Sequence, residues 1–592
     1  MSNVDSLHSR AILSLVTIWL LMAAYSCGRT QTQESVFPVQ DPNVPRILVI
    51  PFENMGSSDD AFFAAGLTKE TTNRLAAVRG LGFVSRVGVA EDAIIQRSAD
   101  EIGREIGVDY VLEGSVLWDR GAEPSQQLYV ETQLLRVADG SVLWADQVVR
   151  PMADVFSIQS TISHAVVDNI GVEIDSVERR ALDFRPTENL EAYEAYLRGL
   201  ENSWSFERKK LELAEQHFSR AVTLDHDFAL AHAALSESHS LMFHFRYDRT
   251  PPRLASANAA AQRANEIDAN LPEGHRARGY YYYWGQDNFE LALSEFSLAA
   301  HGRPNDPLII ASIGLVLRRQ GRWQEAIDAL RRAAEMEPEN HDTILDLAST
   351  LSRVRRYGEA VETFRRAIEL VPDDIYPYVF LARTLLLQDG AIEEAREVLD
   401  AMPENDPTQQ GIYRYEQALF ERNFDGAMDT LVTLDDVISD PIGEIVFTRS
   451  FAECECGILG QLAGPTSPSC VDAREYLERS SEISPGDPAV HAALGWVYAL
   501  VGEKELAIEA GQRAVDLSPV TVDAMSGHSY LITLARIYAR VDEPYLAVKT
   551  IHTAMTTPGW ISVATLELDP AWDPIRSDPR FQELLRMHSE VE

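Results

Sequence analysis

The sequence is poor in lysine and in positive charge overall. Its 52 lysines and arginines are outnumbered by 91 aspartates and glutamates, which gives a formal net charge of −39. Such a charge repels polyanions, so nucleic acid is not expected as a partner. Lysine occurs only at Lys69, Lys209, Lys210, Lys504 and Lys549, and none of these follows a glycine. The Gly-Lys step of a phosphate-binding P-loop is therefore absent, which excludes a Walker-type NTPase.

Long hydrophobic runs are also missing. The run from Ala11 to Tyr25 is shorter than the ~20 residues that a membrane-spanning helix needs, and its position after Arg10 favours the hydrophobic region of an export signal. The stretch MAAYSC resembles a bacterial lipobox, in which Cys27 would be acylated, although Ala24 stands where leucine is usual. We predict a signal peptide with a lipobox, or a membrane anchor, over residues 1–27. An ordinary signal sequence or a short uncleaved anchor is the alternative.

Only four cysteines are present, and three of them lie close together as Cys454, Cys456 and Cys470. In an exported protein one bridge to Cys470 is possible, and three thiols would leave one unpaired. A zinc site would need a fourth ligand, and the nearby sequence offers no histidine. We therefore expect structural cysteines, no metal and no other cofactor.

Residues 28–45 are polar, contain three prolines and show no periodicity, which predicts a flexible tether. From residue 46 to residue 178 the pattern alternates between strand and helix. The apolar run RILVIPF predicts a buried strand, the apolar spacing from Ala61 to Val78 predicts a helix, and Asp139-Gly140 joins two strand-like segments into a hairpin. The apolar spacing from Val155 to Ile170 predicts a closing helix. We predict a small α/β domain here.

Nothing in this α/β segment matches a catalytic motif. The loop Glu53–Asp60 follows a strand and precedes a helix, as a phosphate cradle would, but its two aspartates would oppose a phosphate. We interpret it as a structural turn. Gly114 and Ser115 lack the Gly-x-Ser-x-Gly nucleophile elbow. The protein is therefore predicted not to be an enzyme, and a hydrolase with an unrecognised site in this domain is the weaker alternative.

Five segments of this domain, taken in order, resemble a known family. They are ILVIPFEN, FFAAGLTKETTNRLAAV, GREIGVDYVLEGSV, TQLLRVADGSVLWADQ and DVFSIQSTISHAV. Together they resemble the TolB N-terminal-type domain, which is related to FlgO-like domains of bacterial envelope proteins. The resemblance implies a domain that is not known for catalysis and often precedes tetratricopeptide repeats (TPRs). In that family the domain sometimes follows a cyclase, kinase or DNA-binding module.

The remainder of the chain repeats itself every 34 residues. Ala326, Leu330, Ala333 and Pro338 recur as Ala360, Phe364, Ala367 and Pro372. This spacing and residue choice resemble the TPR, in which small alanines let paired helices approach and proline ends the second helix. We predict an α+β/α multidomain protein, with an all-α TPR superhelical solenoid and a C-terminal capping helix over residues 190–592. Well-formed repeats are expected near 272–306, 307–340, 341–374, 375–409 and 488–521.

The TPR geometry implies that the first helix of each pair faces the concave side of the solenoid. Aromatic and arginine side chains on these helices are the predicted anchors of a peptide-binding groove. They are Arg276, Tyr280, Tyr283, Arg318, Tyr376, Arg383, Trp496 and Arg536. Core packing is the alternative for any one of the aromatic residues. The four arginines would make a locally positive trough for an acidic or C-terminal peptide.

These features together predict a non-enzymatic scaffold that is exported and membrane-anchored, with its body in the periplasm. It would bind a protein or peptide partner through the concave face of the solenoid. The alternative is a regulatory module that acts on a separately encoded cyclase or kinase, and it predicts a cytoplasmic body.

Overall fold

The computed structural model describes residues 44–85, 99–119, 127–203, 207–432, 434, 437–438 and 447–589. The predicted signal, Cys27 and nearly all of the predicted tether fall at residues 1–43, outside the described residues. Pro45–Glu592 forms a single compact unit. Within the described ranges, no helix combines the length and the apolar character needed to cross a membrane.

A six-stranded mixed sheet lies near the start of the described chain. Strand β1 (Arg46–Val49) lies between β3 (Gly82–Ser85) and β4 (Tyr110–Asp119) and runs parallel to both. Strands β5 (Gln127–Arg136) and β6 (Ser141–Pro151) extend the sheet in antiparallel order, and the two-residue β2 (Glu53–Asn54) pairs with β4. Gly140 has a φ of +67° in the turn between β5 and β6, which confirms the predicted hairpin.

Four helices accompany the sheet. Their bounds are α1 (Ala61–Leu75), α2 (Ala99–Ile106), α3 (Val155–Ile170) and α4 (Ser176–Leu182). Helix α1 follows the glycine-containing loop, in which the Ser57 hydroxyl accepts a hydrogen bond from the Asp59 amide at 3.2 Å. This bond caps the 3₁₀ turn Ser58–Asp60 that leads into α1, which agrees with the interpretation of the loop as a structural turn.

The rest of the described chain is mostly helical, in successive antiparallel pairs with an odd-numbered first helix and an even-numbered second helix. The paired helices are α5 (Leu190–Asn202), α6 (Arg208–Leu224), α7 (Ala229–His244), α8 (Pro251–Ile267), α9 (Pro272–Tyr280), α10 (Phe289–Gly302), α11 (Pro307–Arg319), α12 (Trp323–Met336), α13 (His341–Arg353), α14 (Tyr357–Leu370), α15 (Tyr376–Asp389), α16 (Ile392–Asp400), α17 (Pro407–Phe420), α18 (Phe424–Leu431), α19 (Arg449–Leu459), α20 (Pro468–Ile483), α21 (Pro488–Val501), α22 (Lys504–Leu517), α23 (Ser526–Arg540) and α24 (Pro544–Met555). Helices α25 (Val563–Leu568) and α26 (Pro579–Ser589) end the array, with a 3₁₀ turn at Pro570–Ile575 between them.

Small residues let the two helices of a pair touch through their backbones. At the crossing of α21 and α22, a Cβ added to Gly495 would lie 2.8 Å from the Gly511 amide nitrogen and 3.1 Å from the Ala507 carbonyl oxygen. No side chain fits that gap, because real Cβ contacts are longer. This close approach of two helix backbones explains why the 34-residue pattern places small residues at these positions.

The α/β domain is bonded to the helix array at the α10–α11 turn. The Asn305 side-chain amide donates to the carbonyl oxygens of Val78 at 2.9 Å and of Leu81 at 2.8 Å, and Asn305 is 2% exposed. Helix α1 also packs against α5, where a Cβ on Gly66 would lie 2.7 Å from a methyl of Leu197. Buried bonds of this kind fix the domain against the array.

The array also bonds to itself across its width. Five arginines at or just after the ends of first helices contact the segment 487–573, and we call this set the closing arginines: Arg246, Arg319, Arg353, Arg355 and Arg422. The Arg319 guanidinium lies 2.9 Å from an Asp523 carboxylate oxygen, and the Arg319 carbonyl accepts from the Ala524 amide at 2.7 Å. These contacts join helix α11 to the start of α23.

The remaining closing arginines make similar bonds elsewhere along the array. The Arg353 carbonyl accepts from the Gly559 amide at 2.9 Å, and Arg355 donates to the Met555 carbonyl at 2.8 Å. Arg422 makes two hydrogen bonds of 2.7 Å to the Asp573 carboxylate, and Arg246 lies 3.5 Å from Asp487. The solenoid is therefore closed by contacts between repeats far apart in sequence.

A disulfide joins the two helices of the pair α19–α20. It links Cys454 to Cys470, while Cys456 is a free, buried thiol. The structure thus confirms the possible bridge to Cys470 with one thiol left over. The surrounding described residues also form helical pairs, α17–α18 and α19–α20.

Exchanging Gly495 for alanine tests the helix crossing. We expect Gly495→Ala to lower the unfolding free energy by about 1–3 kcal/mol, because the added methyl forces two backbones apart. Gly358→Ala is the matched control, since a Cβ there meets nothing within 4 Å. That control should be neutral or slightly stabilising, given alanine's better helix propensity. Urea denaturation followed by circular dichroism measures both, and equal effects would contradict the packing account.

Reducing the disulfide should destabilise the protein. The bridge spans 16 positions of sequence, and closing a loop of that length contributes about 3 kcal/mol. We expect dithiothreitol to lower the Tm of the wild type. The double variant Cys454→Ala/Cys470→Ala should already have that lower Tm and should not respond to the reductant. A reductant effect of the same size in both proteins would show that the bridge is not its cause.

Candidate functional site: a cavity between the first helices

A cavity of about 280 Å³ lies inside the C-terminal half of the array. Its wall comes from the first helices of five consecutive pairs, α15, α17, α19, α21 and α23, and from the segment 560–572. The first helices therefore face inward here, as the predicted geometry requires. Three residues of the predicted groove, Arg383, Trp496 and Arg536, line this one cavity.

A buried carboxylate, Glu455 of α19, holds part of the wall together. The Trp496 indole donates to one Glu455 oxygen at 2.7 Å, and the Tyr415 hydroxyl donates to the other at 2.9 Å. Glu455 is only 8% exposed. Burial raises the pKa of this carboxyl, and the Arg536 guanidinium opposes the rise only in part.

Arg536 of α23 is the cation that acts on this carboxylate. Its guanidinium donates to the Asp569 carboxylate at 2.5 Å. Burial alone would lower the pKa of Arg536, but the carboxylates of Asp569 and Glu455 outweigh that effect and raise it. The arginine is therefore held charged by two acids that share it.

A second ion pair lies on the α15–α17 side of the wall. The Arg383 guanidinium contacts both Glu416 carboxylate oxygens, at 2.9 and 2.7 Å, and lies over the Tyr413 ring at 5.6 Å. About a third of each charged side chain is exposed, 30% for Arg383 and 38% for Glu416. This pair is formally neutral and is the more accessible of the two charged groups.

Aromatic rings make up much of the remaining wall. They are Tyr413, Tyr415, Phe420, Phe451, Trp496, Trp560 and Trp572. The ring of Trp560 is fixed from outside the cavity, because it stacks on Phe380 at 5.9 Å and lies under the Arg353 guanidinium at 4.7 Å. One of the closing arginines, Arg353, therefore also positions part of the cavity wall.

The other five predicted groove residues lie outside this cavity. Tyr280 is 1% exposed and shares a 2.6 Å hydrogen bond with the Ser312 hydroxyl, and Tyr283 is 5% exposed against Phe289. Both fill the core, which is the alternative the sequence left open for aromatic residues. Tyr376 packs partly buried against a neighbouring core cluster.

The predicted positive trough is not what the structure shows among the described residues, because each of its four arginines is paired with a carboxylate. Arg276 makes two bonds to Glu237, at 2.8 and 3.1 Å, and Arg318 lies 2.9 Å from Asp346. Arg383 and Arg536 are paired as described above. Their charges are cancelled locally, so this part of the prediction is corrected.

Sequence reasoning missed the acids of the site. Glu455 stands between Cys454 and Cys456, whose sulfur chemistry is the more obvious signal, and Asp569 stands in a proline-containing segment near the end of the array. The available signal was a charged residue among apolar positions on a first helix. Using that signal required knowing that α19 turns that face inward.

No group of three or more metal-binding side chains occurs in the described ranges. On the α/β domain, the Ser160 hydroxyl and the His164 ring both bond to Asp183, at 2.6 and 2.9 Å. A nucleophilic serine needs a base that accepts its proton and is itself oriented by the acid. Here the serine donates directly to the acid, so the trio is not arranged as a nucleophile and base.

Two sequence-family models match the centre of the array. Both are described as tetratricopeptide repeats, and they cover residues 278–342 for one model and 317–376 and 351–415 for the other. Residues 278–415 therefore contain TPRs. The repeat prediction is confirmed, and a protein-interaction role is the usual one for such repeats.

One curated protein is similar to this chain over less than half of the length of each. "Putative adenylate cyclase 3" of Rhizobium meliloti (strain 1021) is 29% identical over 251 residues, which is 42% of this chain and 42% of that protein. The chain thus spans less than half the length of this relative.

Several solved structures resemble parts of the array, among them one described as a TPR protein. They include PilF of Pseudomonas aeruginosa (19% identical, 35% of this chain, 90% of that chain, TM-score 0.29) and TTC0263 of Thermus thermophilus (19%, 33%, 100%, 0.29). Human IFIT1, solved as a dimer with PPP-AAAA, is 14% identical over 62% of this chain and 81% of that chain, with a TM-score of 0.35. These low TM-scores support no functional argument.

The Glu455 carboxyl should make stability depend on pH. Its pKa is raised by burial, so the folded protein holds this proton above pH ~4.3, where the unfolded chain releases it. Its contribution to stability therefore falls as pH rises through this interval. Glu455→Gln cannot ionise, and its amide oxygen can still accept from the Trp496 indole while its NH₂ donates to the Tyr415 hydroxyl, which can donate to the Ala452 carbonyl. We therefore expect the unfolding free energy of Glu455→Gln to rise relative to that of the wild type as the pH increases above about 4.

Glu453→Gln, on the same helix but outside the cavity wall, is the control for this measurement. Glu453 pairs with Arg449 at 2.8 Å. Urea denaturation across the pH series should show no growing advantage for the control. If the difference in unfolding free energy between Glu455→Gln and the wild type does not change with pH, the assigned burial of Glu455 is contradicted.

Proposed function

We propose that this protein is a non-catalytic TPR scaffold that binds a partner protein through the cavity between its first helices. The observation that carries the proposal is the convergence of five first helices on one cavity lined by aromatic residues and two ion pairs. Aromatic and arginine side chains are the usual energetic centres of protein interfaces. Three of the eight groove residues predicted from sequence lie there.

The size of the cavity limits how a partner binds. A volume of about 280 Å³ lies just below the usual range for small-molecule pockets, which starts at roughly 300 Å³. It has room for one anchoring side chain or a compact ligand and not for an extended peptide. The partner therefore inserts one group, and the surrounding surface supplies the rest of the contact.

Filling the cavity tests this proposal. Ile532→Trp adds bulk to the wall, and Leu506→Trp adds the same side chain at a site that is 42% exposed and outside the cavity. Circular dichroism first shows that the tagged wild type and both variants are folded. Cross-linking in living cells then identifies the proteins that each of the three binds. We expect the wild type and Leu506→Trp to retain a common partner that Ile532→Trp loses. Retention by all three would contradict the cavity as the binding site.

The proposal includes an extracytoplasmic location with a lipid anchor at Cys27. The signal-like N-terminus, the tether and the disulfide between Cys454 and Cys470 support it, because disulfides persist in oxidising compartments. Alkaline phosphatase, which is active only outside the cytoplasm, is fused after Glu592 with and without Cys27→Ser. High activity is expected in both, with membrane association lost in the Cys27→Ser protein. A stable but inactive fusion would contradict export.

We further propose that residues 46–178 form a TolB N-terminal-like domain. The support is the order of the five resembling segments together with the mixed sheet of β1, β3 and β4 followed by the β5–β6 hairpin and α3.

A second candidate is a regulatory module for a nucleotide cyclase encoded elsewhere. The match to the protein named "Putative adenylate cyclase 3" favours it. This candidate requires the body to lie in the cytoplasm, so the same fusion distinguishes the two.

A further inference from the structure

We propose that the cavity recognises a compact organic ammonium group. This group is either a free ammonium ion, quaternary or primary, or the side-chain ammonium of a partner's lysine. This inference rests on the proposed function, because it specifies what enters the same cavity. It follows from the charge of the wall, its rings and its volume.

The wall carries one more acid than base. The Arg383–Glu416 pair is balanced, with contacts of 2.9 and 2.7 Å. On the other side Arg536 is shared by Asp569, at 2.5 Å, and by Glu455. One negative charge is therefore left over when the acids are ionised. Inside a protein an uncompensated charge is costly, and a bound cation would offset that cost.

The unbalanced acid is held by neutral donors. Both oxygens of Glu455 accept hydrogen bonds from groups without charge, the Trp496 indole and the Tyr415 hydroxyl. These bonds orient the carboxyl group and bring no positive charge that would cancel its own charge once it ionises. An entering anion would then meet the surplus of negative charge and would be repelled.

The aromatic lining suits an ammonium group in particular. Seven rings line the cavity. The Trp560 ring is already packed against the Arg353 guanidinium and Phe380, so we assign the ammonium contact to the other two tryptophans, Trp496 and Trp572. The faces of such rings attract alkylammonium ions, and this attraction strengthens when water is excluded. A cavity of about 280 Å³ accommodates a group the size of choline.

Cation binding is linked to the ionisation of Glu455. The ionisable groups around this carboxyl are Arg536, Asp569, Tyr415, Glu416 and Cys456. Burial raises the pKa of Tyr415 well above its usual value and that of Cys456 to about 12, so both stay neutral. Burial also raises the pKa of Glu455, and a bound cation would lower it again. Cation affinity should therefore rise with pH as Glu455 ionises.

The test compares two molecules of the same shape. Choline chloride and its neutral carbon analogue, 3,3-dimethylbutan-1-ol, are titrated into the full-length protein at constant ionic strength. Isothermal calorimetry and tryptophan fluorescence report binding. We expect saturable choline binding at least about tenfold tighter than binding of the alcohol, with a difference that grows with pH.

Two variants and a lysine analogue complete the experiment. Glu455→Gln should lose about tenfold in choline affinity and leave the alcohol unchanged, whereas Glu453→Gln on the same helix should behave as the wild type. N-acetyl-lysine methylamide represents a partner's lysine, and tighter binding than choline would assign the site to a protein side chain. Weaker binding than choline would assign it to a free amine.

The alternative outcomes overturn the inference in separable ways. Equal affinity for choline and the alcohol would show an apolar site without cation preference, and the scaffold proposal would stand. No binding of any of the three, combined with loss of the partner in Ile532→Trp, would also leave the scaffold proposal standing and reject the ammonium group. Unchanged choline affinity in Glu455→Gln would reject the role given to this acid.

Discussion

The closure of the helix array on itself is the constraint on which the rest of the structure depends. A solenoid needs contacts only between neighbouring repeats, and its concave face then stays open. In this chain the closing arginines join the ends of earlier first helices to the segment 487–573. Three of them, Arg246, Arg355 and Arg422, have positive φ angles of 60°, 63° and 57°. Each stands two residues after its first helix ends, where a left-handed turn directs the side chain across the array.

Closure converts an open groove into a bounded cavity. Trp560, Asp569 and Trp572, in the segment after α24, line the cavity together with the inward faces of five first helices. The Trp560 ring also contacts Phe380 and the Arg353 guanidinium, which lie outside the cavity. The carboxylate of Glu455 is thereby enclosed, and its raised pKa is a direct consequence of that burial. The charge balance of the cavity, and so the ligand proposed for it, follows from the same enclosure.

Much of the fold could be predicted from the sequence, because its signals are local. Alanine and proline at 34-residue spacing mark pairs of helices that must cross closely, and Asp139-Gly140 marks a turn that needs positive φ. The TPR match over residues 278–415 confirms the repeat prediction. The site was harder, since a 34-residue period does not show which repeats meet across the array. Arg276 and Arg318 have the same residue type as Arg383 and Arg536, yet only the latter two line the cavity.

Disulfide trapping across the closure tests the account most directly. A Cβ added to Gly321 would lie 3.5 Å from the Ala524 Cβ, and one added to Gly390 would lie 3.6 Å from the Ala564 Cβ. Both separations suit a disulfide. The double variants Gly321→Cys/Ala524→Cys and Gly390→Cys/Ala564→Cys should each cross-link under mild oxidation, as seen by peptide mass mapping. The swapped pairs, Gly321→Cys/Ala564→Cys and Gly390→Cys/Ala524→Cys, should not. Folded matched pairs that keep free thiols, or cross-link no faster than the swapped pairs, would contradict the closed array.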